Sequence, residues 1–555
     1  MRFPRIALAV GLAVVLGLTQ SEQTRAGGTN DARNTGLALY REGRFQEAIP
    51  YFDQVLARHR RDLELLIKRG NCYLRLGQNE LALRAYTDSI ALFPADPNGF
   101  VGRGDTLTTL RLPDQAIADY SEAIRLDPSH SRAYGGRGGI LSDLGRDELA
   151  LADLNRAITL DPKYAKAYSC RGTLHARQGR NERALADFDA VIRLLPENAG
   201  AHKDRGGILV RLGHFDRAID DLNEAIRLDP KRATAYQNRG AAYNGLGQYE
   251  RAIDDLSKAI EIDPDNAGAY TNRGLALFGT GRYDQAVVDL SDAIQLAPRN
   301  AIPYFNRAEV FSRLGWRDRA LQDYDAAIRI DPRIAAAYAA SGRLRDEKGE
   351  PDQAIRDYDM ALQLDPKEVS LYCDRGNVRR QRSDWAGALA DYDRAIVLDP
   401  KRADTYVARG WSRLCAGVEG ADYDARAYLS LKGWHDGLAP YMAVLAVVGA
   451  REAGRPADAA RALDEALANL SPRAWPVPVL RYLQREITET AVLQAAVSDR
   501  QQAEVHTFLG LDRLHAGDRA GALLHLRWAR DHGQPGSIAA DVAEARLKRM
   551  KDESS

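Results

Sequence analysis

From about residue 29 to residue 417, apolar residues recur at helical spacing in short segments that close on a glycine or on the phrase LDP or IDP. In AKAYSCRGTLHARQG (165–179) the pattern predicts a helix stopped by Gly179 as a left-handed C-cap, and NERALADFDAVIRLLP predicts a second helix ending before Pro196. Each unit thus reads as two antiparallel helices, repeated every 34 residues. Prolines keep that step from Pro94 to Pro400, alanines from Ala48 to Ala388, and glycines from Gly36 to Gly410 with Ala308 as the one substitution. Glycine inside a helix costs about 1 kcal/mol. Gly172 and Ala184 are therefore expected where the two helices cross and side-chain bulk must be absent.

Charged residues share the period. Arg103 and Asp119, Arg137 and Asp153, Arg171 and Asp187, Arg205 and Asp221, Arg239 and Asp255, Arg273 and Asp289, Arg307 and Asp323, and Arg375 and Asp391 each stand 16 residues apart. They are expected to form ion pairs between the two helices of one unit, because a partner-binding charge has no reason to recur with its counter-charge. Tyr134, Tyr168, Tyr236, Tyr270, Tyr304, Tyr338, Tyr372 and Tyr406 also repeat and are expected in the core.

An aromatic residue, a glycine, an alanine and a proline at these offsets in a 34-residue helical hairpin resemble the tetratricopeptide repeat (TPR) family. The resemblance covers 29–417 as about twelve units. It implies an all-α fold, a TPR right-handed superhelical solenoid whose concave groove binds peptides or protein segments. After Gly417 the period breaks, and a divergent helical C-terminal module is expected over 418–550. It has two TPR-like hairpins, near 440–473 and 503–536, a capping helix from about Ser537 to Met550, and a disordered tail at 551–555. The phrases WPVPVLRYL, ITETAVL and HTFLGLDRLHAGDRAGALLHLRWA resemble the C-terminal region of NlpI-type periplasmic TPR adaptor proteins, which implies an adaptor for envelope hydrolases or proteases. This chain lacks the lipidation cysteine of that group and has Gln484 after RYL where relatives tend to have glycine.

Composition narrows the function. The 77 Lys+Arg balance 77 Asp+Glu, so no whole-molecule field points to nucleic acid or an anionic membrane. Four scattered cysteines form neither a disulfide framework nor a CxxC site and read as small buried residues. HExxH, GxSxG and phosphate-loop motifs are absent, the histidines are not spaced as helical metal ligands, and His525 and His532 are expected on the surface. No catalysis, cofactor, metal or small-molecule substrate is expected. Arg2 and Arg5 before the apolar run Ile6 to Leu18 read as a signal peptide over 1–26, which predicts a periplasmic or secreted protein. With the first cysteine at Cys72, no lipid anchor is expected.

Two groups of candidate partner-binding residues remain. By the family offsets, Asn238, Asn272 and Asn306 face the groove as a carboxamide row able to grip an extended backbone, beside exposed Leu275, Phe278, Ile302 and Phe305. The alternative is that asparagine is merely common there and the rings pack between repeats. Arg345, Arg379 and Arg413 replace the apolar residues of earlier units, with Arg343, Arg380 and Arg382 nearby. They read either as a site for an acidic partner or as a stripe neutralised internally by Asp346, Glu347, Asp374 and Asp384. The expected function is that of an exported, non-catalytic scaffold or adaptor for protein partners. The narrower alternatives are a regulator of envelope (peptidoglycan) hydrolases or proteases and an accessory protein of polysaccharide export.

Overall fold

The computed structural model describes residues 30–534 and 536–552. The expected signal peptide and residues 553–555 lie outside them. All regular structure among the described residues is helical, and no helix there is long and apolar enough to cross a membrane. The chain divides into two compact units, 1–281 and 282–555.

In the first unit, pairs such as Pro97–Thr109 with Pro113–Leu126 and Ala233–Gly245 with Tyr249–Ile262 pack as hairpins, each resting on the next. The turn inside each hairpin needs a left-handed residue. Gly179 supplies it at φ +71, whereas Arg111 and Ser383 adopt φ 59 at the same offset without glycine's freedom. At the crossing, a Cβ on Gly172 would stand 3.1 Å from the Phe188 ring and 3.2 Å from the Asp187 Cβ, so helix contact requires the missing side chain. The core is filled from the second helix, by Phe52, Tyr86, Tyr120, Leu154, Phe188, Leu222 and Leu256, all fully buried.

The expected core tyrosines are different. Among them Tyr338 is buried, but Tyr134, Tyr168, Tyr236, Tyr270, Tyr304, Tyr372 and Tyr406 are only half-buried. Most lie beneath a guanidinium instead: the Arg137 carbon stands 5.8 Å from the Tyr134 ring centre, Arg171 5.6 Å from Tyr168 and Arg239 5.7 Å from Tyr236.

These arginines are clamps. Arg239 donates from Nε and Nη2 to the two carboxylate oxygens of Asp255, both at 2.7 Å, and from Nη1 to Asn223 Oδ1 at 2.6 Å. Arg205 bridges Asp221 and Asp189 in the same way, and Arg137 bridges Asp153 and Ser121. One end closes the arginine's own hairpin, as expected, and the other binds the second helix of the preceding repeat, which the spacing had not suggested. Arg69 binds Asp53 behind it, since Ala85 stands where a forward aspartate would be.

The second unit continues the pattern from Tyr283–Leu296 through Val369–Gln381 and Trp385–Leu398. Arg307 clamps Asp323 and Ser291, and Arg375 clamps Asp391 and Asp359. The array extends one helix beyond the expected end at 417. Ala421–Lys432 pairs with Ala403–Ala416, and its Asp424 receives Arg409 at 2.5 Å, one residue earlier than the period demands. Two hairpins follow, Ala439–Glu452 with Pro456–Asn469 and Asp499–His515 with Arg519–His532, separated by the short helices Val477–Leu483 and Glu489–Ala495. The last helix, Ile538–Asp552, takes in two residues of the expected tail and does more than cap the terminal hairpin. It folds back onto Ala403–Ala416, with Arg546 donating to the Leu414 carbonyl at 2.9 Å and Val542 entering the large apolar cluster around Trp411.

Removing one member of a buried ion pair strands the other and costs about 3–5 kcal/mol. Asp255→Ala is expected to destabilise the array by that order in chemical denaturation, and a wild-type melting temperature would refute the clamp.

Candidate functional site

The first-helix face carries the candidate residues. In the first unit, Asn238 and Asn272 are half-buried, and among the described residues neither side chain hydrogen-bonds to the protein. Space around Asn238 is kept by glycine: a Cβ on Gly207 would stand 2.9 Å from Asn238 Nδ2. Asn244 donates to the Asn272 backbone carbonyl at 2.8 Å, and its Oδ1 is buried without a partner. Leu275 is 40% exposed beside this row, while Phe278 is half-buried. The face therefore offers carboxamide donors and acceptors that the fold leaves unused, next to an apolar contact.

In the second unit Asn306 is likewise half-buried without a side-chain hydrogen bond among the described residues, and Ile302 is 49% exposed. Phe305 differs. Its ring lies 5.9 Å from the buried Tyr324 ring, so it is tied to the core and the packing alternative describes it.

The arginine stripe is internal. Ser341 occupies the clamp offset where other repeats have arginine, and Arg345, one helical turn later, takes over both arms: Nη1 binds Asp357 at 2.7 Å and Nη2 binds Asp325 at 2.9 Å. Arg379 joins Arg375 on Asp391 at 2.9 Å, Arg413 joins Arg409 on Asp424 at 3.0 Å, and Arg380 pairs with Asp541 at 2.9 Å. As partner-binding residues, Arg345, Arg379, Arg380 and Arg413 are thus corrected: their charges are taken up inside the fold. Their counter-ions also differ from those expected: among the described residues Asp384 alone of the four reaches the stripe, 3.9 Å from Arg379. Asp346 and Asp374 have no ion-pair partner among the described residues, and burial pushes both carboxyls up.

In the last repeat the same face is already occupied. Val407 and Trp411 stand at the offsets of Phe305 and Leu275, and the chain's own C-terminal residues cover them, with Phe508 6.4 Å from the Trp411 ring and Val542 in the same cluster. Periodicity could not reveal this, because the covering residues lie outside the repeats.

Of the two expected surface histidines, His532 is exposed, whereas His525 lies in a packed cluster. His506 Nδ1 meets His525 Nδ1 at 2.9 Å, His525 Nε2 reaches Glu489 at 3.2 Å, and Trp528 stacks on both His506 and His532. Among the described residues no group of three or more His, Cys, Asp or Glu is arranged to hold a metal. Cys72 and Cys415 are buried, which pushes their thiols up to about 11 and about 12 and away from thiolate chemistry.

Two outcomes follow from this geometry. Arg345→Leu should destabilise the second unit by about 3 kcal/mol, and adding Ser341→Arg should recover most of the loss by rebuilding the clamp used elsewhere; denaturant titration of both variants decides this. Burial, and then the neighbouring His525 charge, lower His506 to about 4 from an ordinary 6.5. The unfolded chain therefore binds the extra proton first, and stability falls as pH drops from 6.5 to 4. Relative to His506→Gln, wild type should lose on the order of 2 kcal/mol across that window, whereas parallel melting curves would dismiss the effect.

Family models described as TPR repeat match residues 138–179 and 242–281, and models described as tetratricopeptide repeat match 33–97, 99–130, 172–237, 222–254, 271–333, 305–369 and 347–410. The matches end before the C-terminal module. No curated protein matches the chain. Among solved structures, the APC/C hetero-tetramer Cut9-Hcn1 is 15% identical, covering 77% of this chain and 98% of that one, at a TM-score of 0.42. YrrB, a TPR protein with an unusual peptide-binding site, is 25% identical over 33% of this chain and 95% of its own, at 0.30. A tetratricopeptide repeat protein from Parabacteroides merdae is 18% identical over 45% and 98%, at 0.38. At such TM-scores the assignment rests on the family models, which together span more than half of the sequence. The chain belongs to the tetratricopeptide repeat family.

Proposed function

We propose that this protein is an exported, non-catalytic scaffold that holds an extended segment of a protein partner on the first-helix face of its repeats. The observation that carries this reading is the unused carboxamide pair of Asn238 and Asn272, with Gly207 leaving room for Asn238, beside exposed Leu275. Carboxamides bond to backbone without reading side chains, so such a face suits an extended peptide. The occupied face of the last repeat supports the same view, since apolar groups at Val407 and Trp411 find their cover in other helices of the chain. Export rests on Arg2, Arg5 and the apolar run Ile6 to Leu18. Within this reading, WPVPVLRYL and the phrases after it favour an adaptor that brings an envelope hydrolase or protease to its substrate.

Co-purification from an envelope fraction should return such a partner. Replacing Asn238 and Asn272 together by alanine removes two or more hydrogen bonds of about 1 kcal/mol each and should weaken capture roughly tenfold or more, with the array still folded. Undiminished capture by a folded double variant would reject the carboxamide face.

A further inference from the structure

Inside the second unit, a cavity of about 390 Å³ opens among the helices that cover the last repeat. Its volume falls in the range of about 300–1,000 Å³ typical of small-ligand sites. Part of the wall is apolar: Val407 and Trp411 from Ala403–Ala416, Met442 from Ala439–Glu452, Phe508 from Asp499–His515, and Ile538 and Val542 from the last helix.

Two charged residues join these walls, and they are not equivalent. Glu504 is buried, and its carboxylate is fully engaged. Trp475 Nε1 donates to Oε2 at 2.5 Å, the Tyr441 hydroxyl reaches the same oxygen at 3.5 Å, and Arg500 Nε donates to Oε1 at 3.0 Å. Arg500 is the opposite case. Its side chain is 64% exposed, and its ion pair with Glu504 runs through Nε, so its two terminal nitrogens have no carboxylate partner among the described residues. The Thr507 hydroxyl is also committed, to the carbonyls of Ala503 and Ala539.

The cavity therefore sets the guanidinium edge of Arg500, which also meets the Tyr441 hydroxyl, beside an apolar wall, with Gln534 and Ser537 as further polar lining. A cation would meet Arg500 at the rim. An apolar body with one anionic oxygen pair matches both features, because a guanidinium fork binds a carboxylate through two parallel hydrogen bonds. We propose that this cavity binds an apolar chain or ring carrying a single carboxylate, with the carboxylate on Arg500 and the apolar body against Trp411, Phe508 and Val542. That chemistry occurs in a medium-chain fatty acid and in the C-terminal residue of a peptide ending in a large apolar side chain. The site is separate from the carboxamide face and does not depend on it.

Isothermal titration of the full chain with decanoate, and with an octapeptide ending in a free-acid phenylalanine, tests the assignment against methyl decanoate and the amidated peptide. At least one acid should bind one-to-one. Masking its carboxylate, or Arg500→Gln, should weaken binding roughly tenfold or more, as loss of a charged hydrogen-bond pair implies. Ile538→Trp, at a 40% exposed position on the wall, should block entry. Ile538→Trp alters an exposed side chain and should melt as wild type, whereas Arg500→Gln also removes a partner of the buried Glu504, so its binding is read at a temperature where its own melting curve shows it folded. Binding of decanoate alone assigns the site to a free acid, and binding of the peptide alone assigns it to a protein C-terminus. The proposal is overturned if neither acid binds up to about 1 mM, if the masked forms bind equally well, or if Ile538→Trp binds as wild type.

Discussion

In most repeats one guanidinium closes the hairpin and joins it to the repeat before. Placed one residue before the glycine of the first helix, it directs two of its five donors to a buried aspartate in its own second helix and a third to the second helix of the preceding repeat. Hairpin closure and repeat stacking therefore depend on the same side chain. The aspartates are almost fully buried, from Asp187 at 3% exposed to Asp255 at 8%, and would be costly to hold there without the fork. The tyrosine three residues earlier lies under the guanidinium and shields it from solvent. Because each clamp joins opposite charges within the fold, a chain with 28% charged residues reaches a net charge of 0 without a field directed at any partner.

That dependence explains the arginine stripe. Losing the clamp at Ser341 would leave Asp357 buried and alone, and Arg345 restores it from one helical turn away, where residues four apart share a helix face. The signal was present in the sequence in two halves, a lost arginine at 341 and a gained one at 345. Reading only the gain suggests a binding stripe, and reading both identifies a displaced clamp.

Much else was legible because it is local and recurrent. Hairpin boundaries, the left-handed turns, the glycine crossings and the ion pairs are each determined within one or two repeats, so comparing units isolates them. The tyrosines misled because the core offset on the second helix alternates between aromatic residues and leucine, from Tyr86 and Tyr120 to Leu222 and Leu256, whereas the half-buried offset before the clamp is the more regularly aromatic one. The return of the last helix was hidden for a different reason. Arg546 and the Leu414 carbonyl are 132 positions apart, and no second copy of that contact exists to reveal a pattern.

The alternation at the core offset also determines where a binding face can exist. Tyr86 reaches past its own repeat, and a Cβ on Gly102 of the next first helix would collide with its ring; Tyr120 excludes a side chain at Gly136 in the same way. Their hydroxyls, moreover, occupy Asn71 and Asp105 at 2.6 Å each. Gly102 and Gly136 stand at the offset of Asn238 and Asn272, and the latter two follow repeats whose core residue is Leu222 or Leu256. Ring and carboxamide thus compete for one volume. After Tyr86 and Tyr120 the polar groups of the first-helix face satisfy the phenols, whereas after Leu222 and Leu256 there is room for a carboxamide that nothing among the described residues engages. In these four repeats packing against the core residue thus separates a filled face from an open one, and the open pair lies where Leu275 is also exposed.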